Sequence, residues 1–222
     1  MKFQKPVLLF LIITTCSSRI DLRQKVGDAF GGLEKLEQLQ EVTFSITRYR
    51  YSQTDTINEK RFYKLNTSSE FFQEVSTNGV DTVVLKYENG KASKLENGTI
   101  TQLDSAGTVR LYEQLYFNFL YLLPKTSAWK QMGTMPYRDK QVLIVAVQDS
   151  KKIAEEIHLL VDPETNQIIS SSIPTNGQYE YFADEYDYQK IECLDIYFPM
   201  RYEVVVDGKV IQAGVFSDFC SR

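Results

Sequence analysis

The chain carries one histidine, three cysteines and no long run of like charge, and each scarcity removes a class of function. With His158 as the sole imidazole, a histidine-based metal site or a Ser-His or Cys-His pair has one candidate, and no serine stands in a G-x-S-x-G context. His158 is flanked by Ile157 and Leu159 in a strand-like stretch, so it reads as structural; an esterase built on it needs a nucleophile within hydrogen-bond reach of the ring. His158, Cys193 and Cys220 lack the spacing of zinc ligands. The 25 basic residues against 29 acidic ones leave a net charge of −4 and form no basic stripe, which points away from nucleic acid. In the one acidic cluster, Asp184 to Asp187, no glycine-centred loop of alternating oxygen ligands is found, so it reads as a solvated turn and not as a calcium site.

Other motifs are weak. Ser127-Ala128-Trp129-Lys130 matches S-x-x-K, but Pro124 precedes it, strand-like residues follow it, and the partner motifs of that chemistry are missing. No repeat of fixed period and no linker-like stretch is present. At this length, with an apolar fraction of 43%, one domain with its own core is expected. No cofactor or metal is called for.

The amino terminus is more informative. Lys2 and Lys5 precede the apolar run Val7 to Ile13, followed by Thr14, Thr15, Cys16, Ser17 and Ser18: a positive segment, a short hydrophobic segment and a processing site. The run is about half the roughly 20 residues needed to span a bilayer, so export is the better reading. Ile13-Thr14-Thr15-Cys16 resembles a bacterial lipobox. The resemblance implies a signal peptide over 1–15, a diacylglycerol on Cys16, a short tether over 16–20 and a mature domain over 21–222. With Ser17, not Asp, after the cysteine, it implies the outer membrane, on the periplasmic side. An ordinary secretory signal cut nearby is the alternative.

If Cys16 is the anchor, Cys193 and Cys220 remain as an even pair in an oxidising compartment. A bridge would stabilise by about 3–4 kcal/mol in the chain-entropy model. Both readings, bridge or two unpaired thiols, stay open, because the sequence does not supply the separation of the two backbones.

The stretch Leu111 to Leu123, closed by Pro124, reads as one buried helix. Leu111, Tyr112, Leu115, Phe119 and Leu122 share a broad apolar face, and Leu120, Phe117 and Tyr121 make the far side greasy as well. Nearly everything else alternates like strand. Ile20, Val26, Ala29, Phe30 and Leu33 support an amphipathic helix stopped at Gly31-Gly32, and Leu36 and Leu39 add a turn. From Val42 the period becomes two, with Phe44 and Ile46 inward and Tyr49 and Tyr51 continuing that face. Strands follow over 58–65, 70–76, 81–87 and 91–95, with Asn89-Gly90 and Asn97-Gly98 as hairpin turns. After the central helix come 129–132, 141–147, 156–161, 167–172, 180–192, 202–206 and 209–215. Asp162-Pro163-Glu164-Thr165-Asn166 and Asp207-Gly208 are turns among them.

A sheet of so many strands must curl, and the helices are the elements available to cover its concave face. The expected fold is therefore mainly β with helices (α+β): a curved antiparallel sheet or unclosed β-barrel covered by an N-terminal and a central helix. In this order of elements the mature chain resembles the LolA/LolB-like lipoprotein-carrier fold. The resemblance is carried by Ala29-Phe30-Gly31-Gly32-Leu33 before the first strand, the mid-chain helix ending at Leu123-Pro124, and the Asp162-Pro163-Glu164-Thr165 hairpin. It implies an apolar cavity between helical cover and sheet that holds acyl chains or an apolar partner segment.

The functional expectation is a non-enzymatic, lipid-anchored, monomeric protein with Leu111, Tyr112, Leu115, Phe119 and Leu122 lining that cavity. The alternative is an envelope interaction module that presents Tyr179, Tyr181, Tyr186 and Tyr188 to a glycan or protein partner.

Overall fold

The two runs of strands read from the sequence belong to one sheet. The structure, a computed structural model, describes residues 21–52, 55–77, 81–126 and 128–221. The expected signal segment 1–15, Cys16, the tether 16–20 and Ser127 lie outside the described residues. In chain order the helices are α1 (Leu22–Ala29), α2 (Leu33–Gln38), α3 (Ser105–Tyr116) and α4 (Phe119–Lys125). The strands before α3 are β1 (Glu41–Tyr51), β2 (Thr56–Asn66), β3 (Phe71–Thr77), β4 (Thr82–Glu88), β5 (Lys91–Glu96) and β6 (Thr99–Gln102). Those after α4 are β7 (Trp129–Tyr137), β8 (Lys140–Val147), β9 (Ile157–Val161), β10 (Ile168–Ser172), β11 (Pro174–Thr175), β12 (Gln178–Tyr179), β13 (Phe182–Ile191), β14 (Ile196–Val206) and β15 (Lys209–Ser221).

The main sheet has 13 strands in the order β6-β5-β4-β3-β2-β1-β15-β14-β13-β10-β9-β8-β7, while β11 and β12 form a separate ribbon. Its ladders are antiparallel, and the first and last strands of the domain pair with each other through Ile46↔Phe216 and Arg48↔Gly214. This is an unclosed, curved β-barrel. Its two free edges are β6 and β7, the strands that flank the helical segment α3–α4 in the chain. The segment that leaves one edge and arrives at the other packs α3 on β3, β4 and β5 and α4 on α2. Accumulated strand twist bends so wide a sheet, and the helices supply the apolar surface that its concave face needs. Among the described residues no helix is long and apolar enough to cross a membrane.

Hairpin chemistry matches the backbone. Asn89 and Gly90 have φ of 48° and 82°, and Asn97 and Gly98 have 50° and 75°, the two positive values that a type I′ turn requires. The glycine pair after α1 works by a different geometry. Gly31 N–H reaches Asp28 O and Gly32 N–H reaches Gly27 O, a Schellman closure with Gly31 at φ +101°. A Cβ on Gly31 would meet the backbone of Ile196 at 3.2 Å, so the tight stop also seats the helix end on the β13–β14 turn, where Tyr197 N–H donates to Phe30 O at 2.9 Å.

The expected single helix over 111–123 is two helices. The first begins earlier, where Asp104 caps α3 by accepting from Gly107 N–H at 2.8 Å. It ends at Tyr116 because Asn118 adopts an extended ψ of 124° and its side chain accepts from Leu120 N–H, starting α4 afresh. An asparagine offers the backbone that competing partner, so it breaks a helix that apolar periodicity alone would continue. At the far end Pro124 removes one helical donor, and the carbonyls of Leu123 and Pro124 accept from Arg23 Nε and a terminal guanidinium nitrogen at 2.8 and 2.7 Å. A cation at a helix C-terminus also meets the negative end of the dipole.

Strand β14 runs further back than the expected 202–206, straight through Pro199. The missing N–H costs no ladder bond there: Pro199 faces Tyr188 on β13, and pairing to β15 starts only at Arg201.

Candidate functional site

A cavity of about 350 Å³ lies between the concave face of the sheet and the α3–α4 junction. That is the small end of the roughly 300–1,000 Å³ typical of ligand pockets. Its roof is Gln114, Phe117, Asn118 and Phe119; its floor comes from inward-facing residues of β1, β2, β3, β9, β10, β13, β14 and β15.

Side-chain alternation explains which residues reach it. On β1 the inward face is Phe44, Ile46 and Arg48, so the face begun by Val42 continues to an arginine. This corrects the reading that Tyr49 and Tyr51 extend it: two-residue periodicity keeps even positions on one side, and Tyr51 is 44% exposed. On β13 Ala183 and Glu185 face the cavity, whereas Asp184 between them is buried on the other side and accepts from the Tyr137 hydroxyl and from Arg138. The acidic cluster therefore divides over two faces, and Asp187, at φ +56°, stands exposed after them.

Aromatic rings form most of the apolar wall. Phe44 stacks on Tyr63 at 5.2 Å, Phe198 meets Phe216 edge-on at 5.1 Å, and Phe30, just after α1, joins Phe119 on α4 at 5.9 Å. Such pairs add about 0.5–1.5 kcal/mol each beyond area burial, so the walls are held by neighbours and not by a ligand.

Of the expected lining residues, Phe119 lies on the cavity. Leu111, Tyr112, Leu115 and Leu122 do not; they are between 0% and 2% exposed within the core. The reason is the position of the helix break. The part before Asn118 lies flush on β3 to β5, and the junction that opens at Asn118 is what stands over the hollow. Tyr112 is further fixed by its hydroxyl, which donates to Asp149 at 3.0 Å. Asp149 is buried and also accepts from the N–H groups of Lys151, Ile153 and Ala154, which ties the 149–154 loop to α3.

Sequence reasoning missed the polar residues of the site: Arg48, Gln114, Glu185, Tyr202 and Gln212. Among the described residues, Arg48 Nε, Tyr63 OH and Gln114 Oε1 are buried without hydrogen-bond partners. The Tyr202 hydroxyl accepts from Gln212 Nε2 at 3.0 Å. Burial, reinforced by Asp184, pushes the Glu185 carboxyl well above the usual carboxylate range. Burial also pushes the Tyr63 phenol up, with Arg48 opposing. The signal that could have found Arg48 is the same parity rule that was broken at Tyr49.

The tyrosines considered for an exposed aromatic face are dispersed. Tyr181 lines the cavity, Tyr188 packs on Phe30 at 5.6 Å and donates to Ile168 O, and Tyr186 lies between the guanidinium groups of Arg138 and Arg201 at 4.9 and 4.8 Å. Tyr179, on the small ribbon, covers β9 and meets His158 Nδ1 at 2.7 Å, while His158 Nε2 faces Glu156 at 2.9 Å. Both ring nitrogens thus face partners that are neither serine nor cysteine. Cys193 and Cys220 are exposed and not bonded to each other, yet Cys193 Sγ donates to the carbonyl of Phe219, the residue before Cys220, at 3.1 Å.

No family model matches the chain, and no curated protein matches it by sequence. Solved structures do. The fold is similar to a LolA superfamily protein from Nitrosomonas europaea, with a TM-score of 0.59 at 10% identity over 86% of this chain and 91% of that one. It is similar to an outer membrane lipoprotein-sorting protein domain from Vibrio parahaemolyticus, with a TM-score of 0.56 at 7% identity over 90% and 91%. A DUF1329 family protein from Desulfovibrio piger gives a TM-score of 0.50 at 8% identity over 90% and 91%. The chain therefore has a LolA-like fold, reached with almost no shared sequence.

Proposed function

We propose that this protein is a non-enzymatic, monomeric envelope lipoprotein that holds an acyl chain or another apolar ligand in the cavity under the α3–α4 junction. The observation that carries this reading is the aromatic-walled hollow of about 350 Å³ persisting in a core otherwise packed by large side chains. Apolar walls discriminate little among lipid tails, so a carrier needs no invariant polar motif. The LolA-like fold supports the reading, since one similar structure is a lipoprotein-sorting domain. Lipidation at Cys16 and residence on the periplasmic side of the outer membrane belong to the same proposal and rest on the lipobox-like residues.

Native mass spectrometry of the full chain carrying Cys16→Ala, followed by solvent extraction, tests the cavity. A bound apolar molecule, or displacement of a fluorescent fatty acid by unlabelled lipid, is expected; absence of both removes the carrier reading. For the anchor, metabolic labelling with a palmitate analogue should tag the wild type and not Cys16→Ala. A glycan or protein partner bound through an aromatic face draws less support, because the tyrosines proposed for it point in separate directions.

A further inference from the structure

The most unusual feature of the cavity is a cation in its floor. Arg48 lines the hollow beside Phe44 and Ile46, its guanidinium 5.6 Å from the Tyr63 ring centre. Among the described residues it takes part in none of the ion pairs. Its cross-strand neighbour Glu59 is engaged instead by Arg61 at 2.7 Å. The carboxyl that shares the cavity, Glu185, has its pKa raised by burial and by the neighbouring Asp184, the direction that lessens its repulsion of an incoming anion. Arg48 is half-buried and its side chain reaches the Tyr202 hydroxyl, but its Nε is buried without a hydrogen-bond partner among the described residues, which is costly, and the Tyr63 hydroxyl is likewise unpartnered among them.

Building on the apolar-cavity reading, we infer that the ligand is a single-chain anionic amphiphile whose acidic head group is received by Arg48 and the Tyr63 hydroxyl, with its tail among the phenylalanines. The planar fork of arginine suits the paired oxygens of a carboxylate or phosphate. At about 350 Å³ the cavity is at the small end of ligand pockets, which suits a single-chain amphiphile better than a bulkier lipid.

The experiment compares dodecanoate, dodecyl phosphate and dodecanol, each below its micelle concentration, binding to the full chain carrying Cys16→Ala, with and without Arg48→Met. The parent should bind at least one acid about tenfold or more tighter than the alcohol. Arg48→Met should lose the preference for acids over dodecanol, while Arg48→Lys should retain part of it. Which acid wins tells a fatty acid from a phosphate head group. Equal binding of acids and alcohol by the parent, or a preference that survives Arg48→Met, overturns the inference while leaving the apolar cavity standing. Binding of none of the three overturns both. The far-UV circular dichroism spectrum and urea midpoint of Arg48→Met report whether it is folded.

Discussion

The ring of Tyr202 occupies the space where a side chain on Gly214 would stand: a Cβ built there lies 2.1 Å from Tyr202 Cε1 and 2.5 Å from Cζ. The two residues are cross-strand partners on β14 and β15, and Arg48 pairs with Gly214 from the other side. The glycine lets an aromatic ring lie over the strand and form part of the cavity wall, a known way of covering a glycine in a sheet.

Substituting Gly214→Ala must therefore move Tyr202. We expect a loss of about 1–3 kcal/mol from overpacking, read as a lower urea midpoint, together with weakened displacement of a fluorescent fatty acid. Adding Tyr202→Ala should cancel part of the stability loss, because the clash is pairwise. Additive effects of the two substitutions would show that the ring and the glycine are not coupled.

Arg23 should matter more than its place on a short terminal helix suggests. Its guanidinium closes the C-terminus of α4 through Leu123 O and Pro124 O and also pairs with Glu37. Arg23→Met removes hydrogen bonds from a charged donor, worth about 1.5–3 kcal/mol together. Hydrogen exchange should rise across α4 before the sheet responds, and unchanged exchange there would reject the capping role.

Stability should depend on pH through Glu185. Its folded pKa lies above its unfolded value because of burial and the neighbouring Asp184, so between those values the folded state binds more protons than the unfolded one, and stability falls as pH rises through that window. Glu185→Gln should be more stable than the parent at neutral and higher pH, and the difference should close as pH drops below about 4.5, the usual carboxyl range. Denaturation midpoints across a pH series measure this; a difference independent of pH would count against a buried, protonated carboxyl.

We further propose that Cys193 and Cys220 can form a bridge, since the thiol of the first reaches the peptide preceding the second. Treatment with diamide should remove two thiols per chain by Ellman titration and lower the mass by about two hydrogens, restored by dithiothreitol. The bridge should raise the urea midpoint, as loop closure predicts. Thiols that stay titratable, or that link separate chains, would exclude it.

Much of the fold was readable because β-structure announces itself locally. Asn-Gly and Asp-Gly turns, two-residue alternation and the glycine pair after Phe30 depend on φ preferences and side-chain parity over a few residues, and the meanders they imply are present. The lapses also have local causes. Asn118 divides the central helix through a side-chain cap that apolar periodicity does not see, and Pro199 sits inside β14 because pairing to β15 begins only beyond it, at Arg201.

Sequence alone thus determined a curved antiparallel sheet with helices over it, since strand, turn and cap propensities act between near neighbours. Which residues surround the hollow was decided only by tertiary structure. Leu111, Tyr112, Leu115 and Leu122 were taken into the core because α3 lies flush on the sheet, while Arg48, Glu185 and Tyr202 came together from β1, β13 and β14. Their meeting depends on the last strand pairing with the first, a long-range contact that brings distant segments side by side and leaves no short-range pattern in the chain.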